Sequence, residues 1–304
     1  MLQFASCLLA LSYSGCNQGS ASESPVAANA KNSRTSSANK EALTILAFGD
    51  FGKESLDLVR TMEVMHRKFP DPDMVFLLGD NTYEETVTAE NYRVFYDIVA
   101  KDSKAPHYAI LGNHDYEHHN EAMMLELNAR DPRWNMPSTY YFKRFEGVDF
   151  SLCCWFLDTT KIKDQQIAWL DASLTAEKAS CTWTVVNGHH PGRIHATAEF
   201  TGGQRIDQYL QPVLDKHNVD LYLCGHHHNS QHLTNLPLKT HYFITGQLVD
   251  VYHVGASPAK GQLVWNSEAA PAFLQLTVKA SQIEFSYHSG YDESVVMHSG
   301  ILAK

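Results

Sequence analysis

Five short stretches carry side chains able to bind a metal: Gly49-Asp50-Phe51-Gly52, Gly79-Asp80-Asn81-Thr82-Tyr83, Gly112-Asn113-His114-Asp115, Val186-Asn187-Gly188-His189 and Gly225-His226-His227-His228. The donors that stand out are Asp50, Asp80 with Tyr83, Asn113 with His114, His189, and His226 with His228. Any one stretch alone is an ordinary turn; the recurrence is the signal. A mixture of carboxylate, phenol, amide and imidazole excludes a soft thiolate site. One ion would not use seven or eight such donors, whereas two ions sharing a bridging carboxylate would. Asp80 is the natural bridge, central in order and next to a glycine that lets backbone and metal approach closely. Two cations roughly 3.5–4 Å apart clamp the attacking and leaving oxygens of an in-line displacement and make hydroxide available near neutral or acid pH. Hydrolysis of a phosphate ester fits that chemistry.

Each stretch follows an apolar run, which puts it at the end of a strand. Thr44–Phe48 leads to Asp50, Val75–Leu78 to Asp80, His107–Leu111 to Asn113, Thr182–Val186 to His189, and Leu221–Leu223 to His226. Between them, apolar residues recur at helical spacing: Leu56, Val59, Met62, Met65 and Phe69; Tyr92, Phe95, Tyr96 and Val99; Ile167, Leu170 and Leu174, with Asp164 as the expected N-cap; and Ile206, Leu210 and Val213. This alternation predicts an α/β fold with the donors at the C-terminal ends of its strands. Phe150–Leu157 reads as a further buried strand, and the aromatic segment Trp134–Tyr141 as packing. Phe273–Val278 and Gln282–Tyr287 alternate with period two about a Lys-Ala-Ser turn and predict an antiparallel pair.

The chain has 304 residues and a formal net charge of −10, which argues against a nucleic-acid backbone or an anionic membrane surface as partner. An anionic small substrate would then need a local positive centre, which bound cations supply. The 17 histidines are clustered, and neutral imidazole is the commonest protein metal ligand. Cysteines are too scattered for a zinc ribbon; Cys153, Cys154 and Cys224 lie in apolar runs and are expected to be small buried residues. Residues 1–16 read as a signal peptide or lipoprotein signal, with the short apolar run Phe4–Leu11 and Cys16 as a candidate lipid anchor. Residues 17–42, rich in Ser, Ala and Asn, read as a disordered tether, and residues 43–298 as one domain without an internal linker. The expected location is extracytoplasmic (secreted, periplasmic or lipid-anchored), with no transmembrane helix in the mature chain.

In order and spacing, the five stretches match the motifs of the calcineurin-like metallophosphoesterases. More narrowly, the chain resembles a purple acid phosphatase of the small, tartrate-resistant type, through Tyr83, Arg133-Trp134-Asn135, Leu223-Cys224-Gly225 and the C-terminal strand pair. The resemblance covers about residues 43–298. It implies a four-layer α/β/β/α sandwich of two mixed sheets flanked by helices. It also implies an acid phosphatase that hydrolyses phosphate monoesters by attack of metal-bound hydroxide at a dinuclear Fe(III)–M(II) centre. Ferric iron would sit at Asp50, Asp80, Tyr83 and His228, and a divalent ion (Fe, Zn or Mn) at Asp80, Asn113, His189 and His226. Phenolate and carboxylates suit the harder ion, amide and imidazoles the softer.

His114 is the expected contact to phosphate or proton donor to the leaving alkoxide. The family's other histidine of this kind falls on Ala198, with His190 or His195 as replacements; Arg193 would either meet phosphate or be solvated. His118, His119 and His232 are expected at the surface, His227 turned away from its neighbours, and Asp158 structural. Small phosphorylated substrates are the expected partners. Two rivals stand beside this reading: a phosphodiesterase or nucleotide hydrolase of the same fold, and a non-catalytic iron- or phosphate-binding protein, suggested by the altered segment Pro191–Phe200.

Overall fold

The apolar runs that end at the candidate site become strands in a computed structural model of the chain, which describes residues 40–304 except 86, 102, 197–205, 236, 238, 249–252, 254–261 and 270. The expectations for residues 1–39, with Cys16, and for Ala198 fall outside the described residues. The strands are β1 (Leu43–Phe48), β2 (Met74–Leu77), β3 (His107–Ala109), β4 (Trp134–Asn135), β5 (Tyr141–Glu146), β6 (Ser151–Phe156), β7 (Trp183–Asn187), β8 (Leu221–Cys224), β9 (Ser230–Asn235), β10 (Thr240–Thr245), β11 (Gln262–Ser267), β12 (Ala272–Val278), β13 (Gln282–Ser289) and β14 (Val296–Ala303). They form two seven-stranded sheets, β14-β13-β12-β1-β2-β3-β4 and β11-β9-β10-β8-β7-β6-β5. Both are mixed: β1 to β4 pair in parallel, as do β6, β7, β8 and β10, while the outer strands β5, β9, β12 and β13 join antiparallel. The central parallel strands are buried on both faces, which is why they read as unbroken apolar runs.

Helices cover the outer faces: α1 (Leu56–Lys68), α2 (Ala89–Ala100), the short α3 (Asn113–Glu117) and α4 (Glu121–Arg130) after the strands of the first sheet, then α5 (Asp164–Glu177) and α6 (Gln211–His217) after those of the second. Strand alternation separates the layers. In β6, Cys153 and Trp155 pack with Leu170 and Leu174 of α5, whereas Cys154 and Phe156 join the core shared with the first sheet. Phe156 meets Phe76 of β2 edge-on at 5.1 Å, a cross-sheet contact worth about 0.5–1.5 kcal/mol beyond its burial. The four-layer sandwich is therefore the fold. The predicted antiparallel pair is β12 and β13, and β14 continues that sheet to Ala303. Among the described residues, no helix is long and apolar enough to cross a membrane.

Four expectations are corrected. Cys153 is not a free buried thiol: it is bonded to Cys181, 28 residues on, which ties β6 to the turn after α5; Cys154 and Cys224 are free and buried. Asp164 is the first residue of α5, and Lys163 is its N-cap; the carboxylate still faces the positive end of the helix dipole. Leu56, placed on the buried stripe of α1, is 74% exposed; it opens the helix just after the Ser55 cap, ahead of the buried face of Leu58, Thr61 and Met62. His232 is not a surface residue but is buried between the sheets.

Candidate metal centre

Every candidate donor follows the C-terminal end of a parallel strand or opens the helix after it, where an open α/β sheet leaves its crevice. The backbone there is unusual. Asp50, Asp80 and His226 have φ of 57°, 51° and 66°, a left-handed conformation that costs a residue with a Cβ about 1–3 kcal/mol. Two glycines make room. A Cβ on Gly79, whose φ is +88°, would lie 2.5 Å from His189 Nδ1, and one on Gly225 would lie 2.4 Å from Asp50 Oδ2. Main-chain bonds lock the turns together: Asp50 N–H donates to Gly79 O at 3.0 Å, and Gly225 N–H to His189 O at 3.1 Å.

The side chains converge in two sets. In the first, His189 Nε2, His226 Nδ1 and Asn113 Oδ1 form a triangle with sides of 3.1, 2.8 and 3.1 Å, and Asp80 Oδ2 lies 3.3 Å from His189 Nε2. In the second, Asp50 Oδ1 is 3.4 Å from His228 Nε2, which is 3.3 Å from the Tyr83 hydroxyl, which is 3.4 Å from Asp80 Oδ2. Bonds of about 2.0–2.1 Å place neighbouring donors roughly 2.9 Å apart around an octahedral ion and 3.4 Å around a tetrahedral one. Both sets fit, and Asp80 Oδ2 belongs to both. Groups outside the sets aim their members: His189 Nδ1–H donates to the main-chain Leu78 O at 2.8 Å, which turns Nε2 inward, and Asn113 Nδ2 donates to Glu117 Oε1 at 3.3 Å, which turns Oδ1 inward.

The electrostatics point to missing positive charge. Asp50 and Asp80 are buried, and among the described residues only histidines pair with them. Burial raises the Asp50 carboxyl despite its hydrogen bond to His228. Burial would also raise Asp80, but His189 and then His114 hold it well below the usual carboxylate range. Burial opposes charge on His189, yet Asp80 beside it pushes it up to about 9; a cation would take the place of that proton. Burial, followed by the charges of Asp50 and Asp80, pushes the Tyr83 phenol up, so a phenolate there needs a cation within bonding distance.

Two residues that hold the site together were not singled out in the sequence. Asp115 accepts from Gly112 N (2.8 Å), Asn81 N (3.1 Å), Asn81 Nδ2 (2.8 Å) and Thr82 N (3.2 Å), pinning the Asp80 and Asn113 turns to each other. Its place in the Gly112-Asn113-His114-Asp115 stretch was the available signal. Thr159 gave none: its hydroxyl accepts the main-chain N–H of His189 and of His190, each at 2.9 Å. With both lone pairs engaged, that hydroxyl must donate to His190 Nδ1, 3.0 Å away, so Nε2 carries the ring proton.

The remaining candidates sort clearly. The His190 ring packs on those of His226 and His189 at 4.3 and 5.0 Å, and burial, then His189, push it down to about 3. His195 is held through its backbone by Gln231, with bonds of 3.0 and 2.8 Å. His114 leans against the Tyr83 ring at 4.4 Å, with Nε2 4.0 Å from Asp80 Oδ2. Arg193 neither faces the donors nor is solvated; it lies 3.9 Å from Asp215. His227 turns to Asn229 Nδ2, 2.8 Å away, and Asp158 accepts from Tyr116 at 2.6 Å. His119 is exposed and His118 partly so.

The profile of the family described as calcineurin-like phosphoesterase matches residues 43–230. The chain is 27% identical to human tartrate-resistant acid phosphatase type 5 over 233 residues, 63% of this chain and 69% of that one; across the human, rat, rabbit and mouse forms the match spans 56 to 69% of their length. It is 28% identical to purple acid phosphatase 7 of Arabidopsis thaliana over 300 residues, 86% of this chain and 87% of that one. Among solved structures, GAP50, described as the anchor in the inner membrane complex of Plasmodium, superposes with a TM-score of 0.72 at 18% identity, covering 87% of this chain and 89% of that one. With the profile spanning strands β1 to β8 and both donor sets, the chain belongs to the calcineurin-like phosphoesterase family.

Proposed function

We propose that the chain is an acid phosphatase that hydrolyses small phosphate monoesters at a dinuclear centre. Ferric iron is held by Asp50, Asp80, Tyr83 and His228, and a divalent ion (iron, zinc or manganese) by Asp80, Asn113, His189 and His226. The observation that carries this reading is the one oxygen common to both donor sets, Asp80 Oδ2, 3.4 Å from the Tyr83 hydroxyl and 3.3 Å from His189 Nε2. Bound ions of this kind supply Lewis acidity and a nucleophile at low pH. The chain's own residues do the rest. Asp115 and Thr159 hold the turns that aim the donors. His114, half-buried at the rim with its Nε2 toward Asp80, donates a hydrogen bond or proton to the departing oxygen when protonated. His190, with its ring proton fixed on Nε2, stands in for the histidine that the family carries nine residues after the ligand. The names of the similar human and Arabidopsis proteins support a phosphatase.

The Cys153–Cys181 disulfide supports an oxidising compartment and hence an extracytoplasmic location, with residues 1–16 as export signal, Cys16 as a candidate anchor and residues 17–42 as the tether to the domain at 43–298. The test is metal analysis and an absorption spectrum on protein from its native source, with turnover of p-nitrophenyl phosphate against its bis-ester. Two metals per chain including iron, a visible band, and a monoester preference of at least ~10-fold in kcat/KM are expected. Preference for the bis-ester would make the chain a phosphodiesterase. Two bound metals without turnover would establish the non-catalytic reading.

A further inference from the structure

The short helix α3 and its C-cap residue His118 carry a second group of donors beside the proposed dinuclear centre. His114, Glu117 and His118 stand at positions i, i+3 and i+4, which share one face of a helical turn. One ligand atom from each lies within 4.8 Å of the other two. His114 Nδ1 is 2.9 Å from Glu117 Oε2 but is not aligned to hydrogen-bond it, so the two atoms face each other without being each other's partner. The imidazoles of His114 and His118 lie nearly parallel, 17° apart with centroids at 6.1 Å. Glu117 is exposed and both histidines are half-buried, so the group opens to solvent.

Two imidazoles and one carboxylate with an open side are a donor set for Zn²⁺. Calcium and magnesium, which prefer oxygen donors, are disfavoured by the same set. We infer that His114, Glu117 and His118 form a third, weaker cation site, and that zinc bound there inhibits the enzyme. The coupling follows from His114. One of its nitrogens, Nε2, points toward Asp80 at 4.0 Å, and the other, Nδ1, toward Glu117. Neighbouring donors around zinc sit roughly 3.4 Å apart; His114 Nδ1 and Glu117 Oε2 stand at 2.9 Å and all three ligand atoms lie within 4.8 Å of one another, so small side-chain rotations close the set on one ion. A zinc-held His114 is fixed to Glu117 and His118 and no longer free to follow the substrate. The inhibition rests on the phosphatase reading above; the cation site does not.

The test takes protein already carrying its two tight cations and titrates it with Zn²⁺, counting zinc by equilibrium dialysis, checking that iron stays bound, and measuring p-nitrophenyl phosphate turnover. A third equivalent should bind, with turnover falling at least ~10-fold at saturation. In His118→Ala the third equivalent and the inhibition should both disappear while turnover at low zinc is unchanged. In Glu117→Gln the third equivalent should weaken at least ~10-fold in dialysis. Saturation at two equivalents in the parent chain, or a third equivalent that persists in His118→Ala, overturns the site. Uptake of a His118-dependent third equivalent by protein without turnover upholds the site and overturns the phosphatase reading instead.

Discussion

Two of the histidine clusters among the described residues have surroundings that give them opposite characters. His189, His226 and His228 meet two buried carboxylates at strand ends. His232, on β9, lies between His298 of β14 and His241 of β10, with Nδ1 3.0 Å from His298 Nε2 and Nε2 2.9 Å from His241 Nδ1. Its ring stacks on Phe243 at 4.5 Å and meets Phe285 at 4.9 Å, while His298 stacks on Trp265 at 4.8 Å. Among the groups facing the trio, the one carboxylate is Asp220, which acts on His241. Each nitrogen pair in the trio needs one N–H and one lone pair, which three neutral rings supply, and it is burial rather than hydrogen-bond counting that keeps a proton off His232. Burial, then His241 and His298, push His232 down to about 3.

The pH signs therefore oppose each other. An unfolded histidine titrates near 6.5. His232, depressed to about 3 in the fold, contributes stability that is complete above about 6.5 and drains as the pH falls toward 3. In the metal-free chain His189, raised to about 9, contributes stability that is complete below about 6.5 and drains as the pH rises through 9. Imidazoles beside carboxylates are set up to exchange a proton for a metal; imidazoles among aromatic rings join two sheets and are weakened by acid.

Three substitutions press on that contrast. The largest effect is expected from Asp80→Ala, which removes the oxygen common to both sets: both cations should be lost and kcat/KM should fall on the order of 10³-fold or more, read by metal analysis and turnover. Two metals retained would end the bridging role. His232→Ala should do the reverse, costing about 1–3 kcal/mol by leaving two imidazoles short of a partner, or roughly 3–10 °C in melting temperature, with kcat/KM untouched. Melting curves of this variant between pH 7 and 4 should also lose part of the parent's acid sensitivity; an unchanged slope would mean that the trio does not carry it. Tyr83→Phe is the mildest: the visible band of the iron-loaded protein should vanish while melting temperature holds and turnover stays within ~10-fold. Persistent colour would remove the phenolate from the iron.

The donors were legible because each follows an apolar run closed by a polar turn, a pattern that buried parallel strands write into sequence. Helices α1, α2 and α5 were legible from their spacing. Strands β5, β9, β11 and β14 were not, because antiparallel strands near a sheet edge carry mixed polar and apolar residues; in β11 the residues alternate between exposed and half-buried. His232 misled for the same reason, since it stands in a run of histidines and polar residues that turns back between the sheets. The Cys153–Cys181 bond joins residues 28 apart and has no local signature. Thr159 acts through its neighbours' main chain, which no motif records.

Asp50, Asp80 and His226 share one property that side-chain chemistry alone does not require, a left-handed backbone. Anyone transplanting this centre into another scaffold by grafting only its side chains would fail to reproduce it. Ordinary strand ends would point the same carboxylates and imidazole in other directions, and the graft would have to carry three strained turns and their glycines as one unit. The portable part of this site is its backbone.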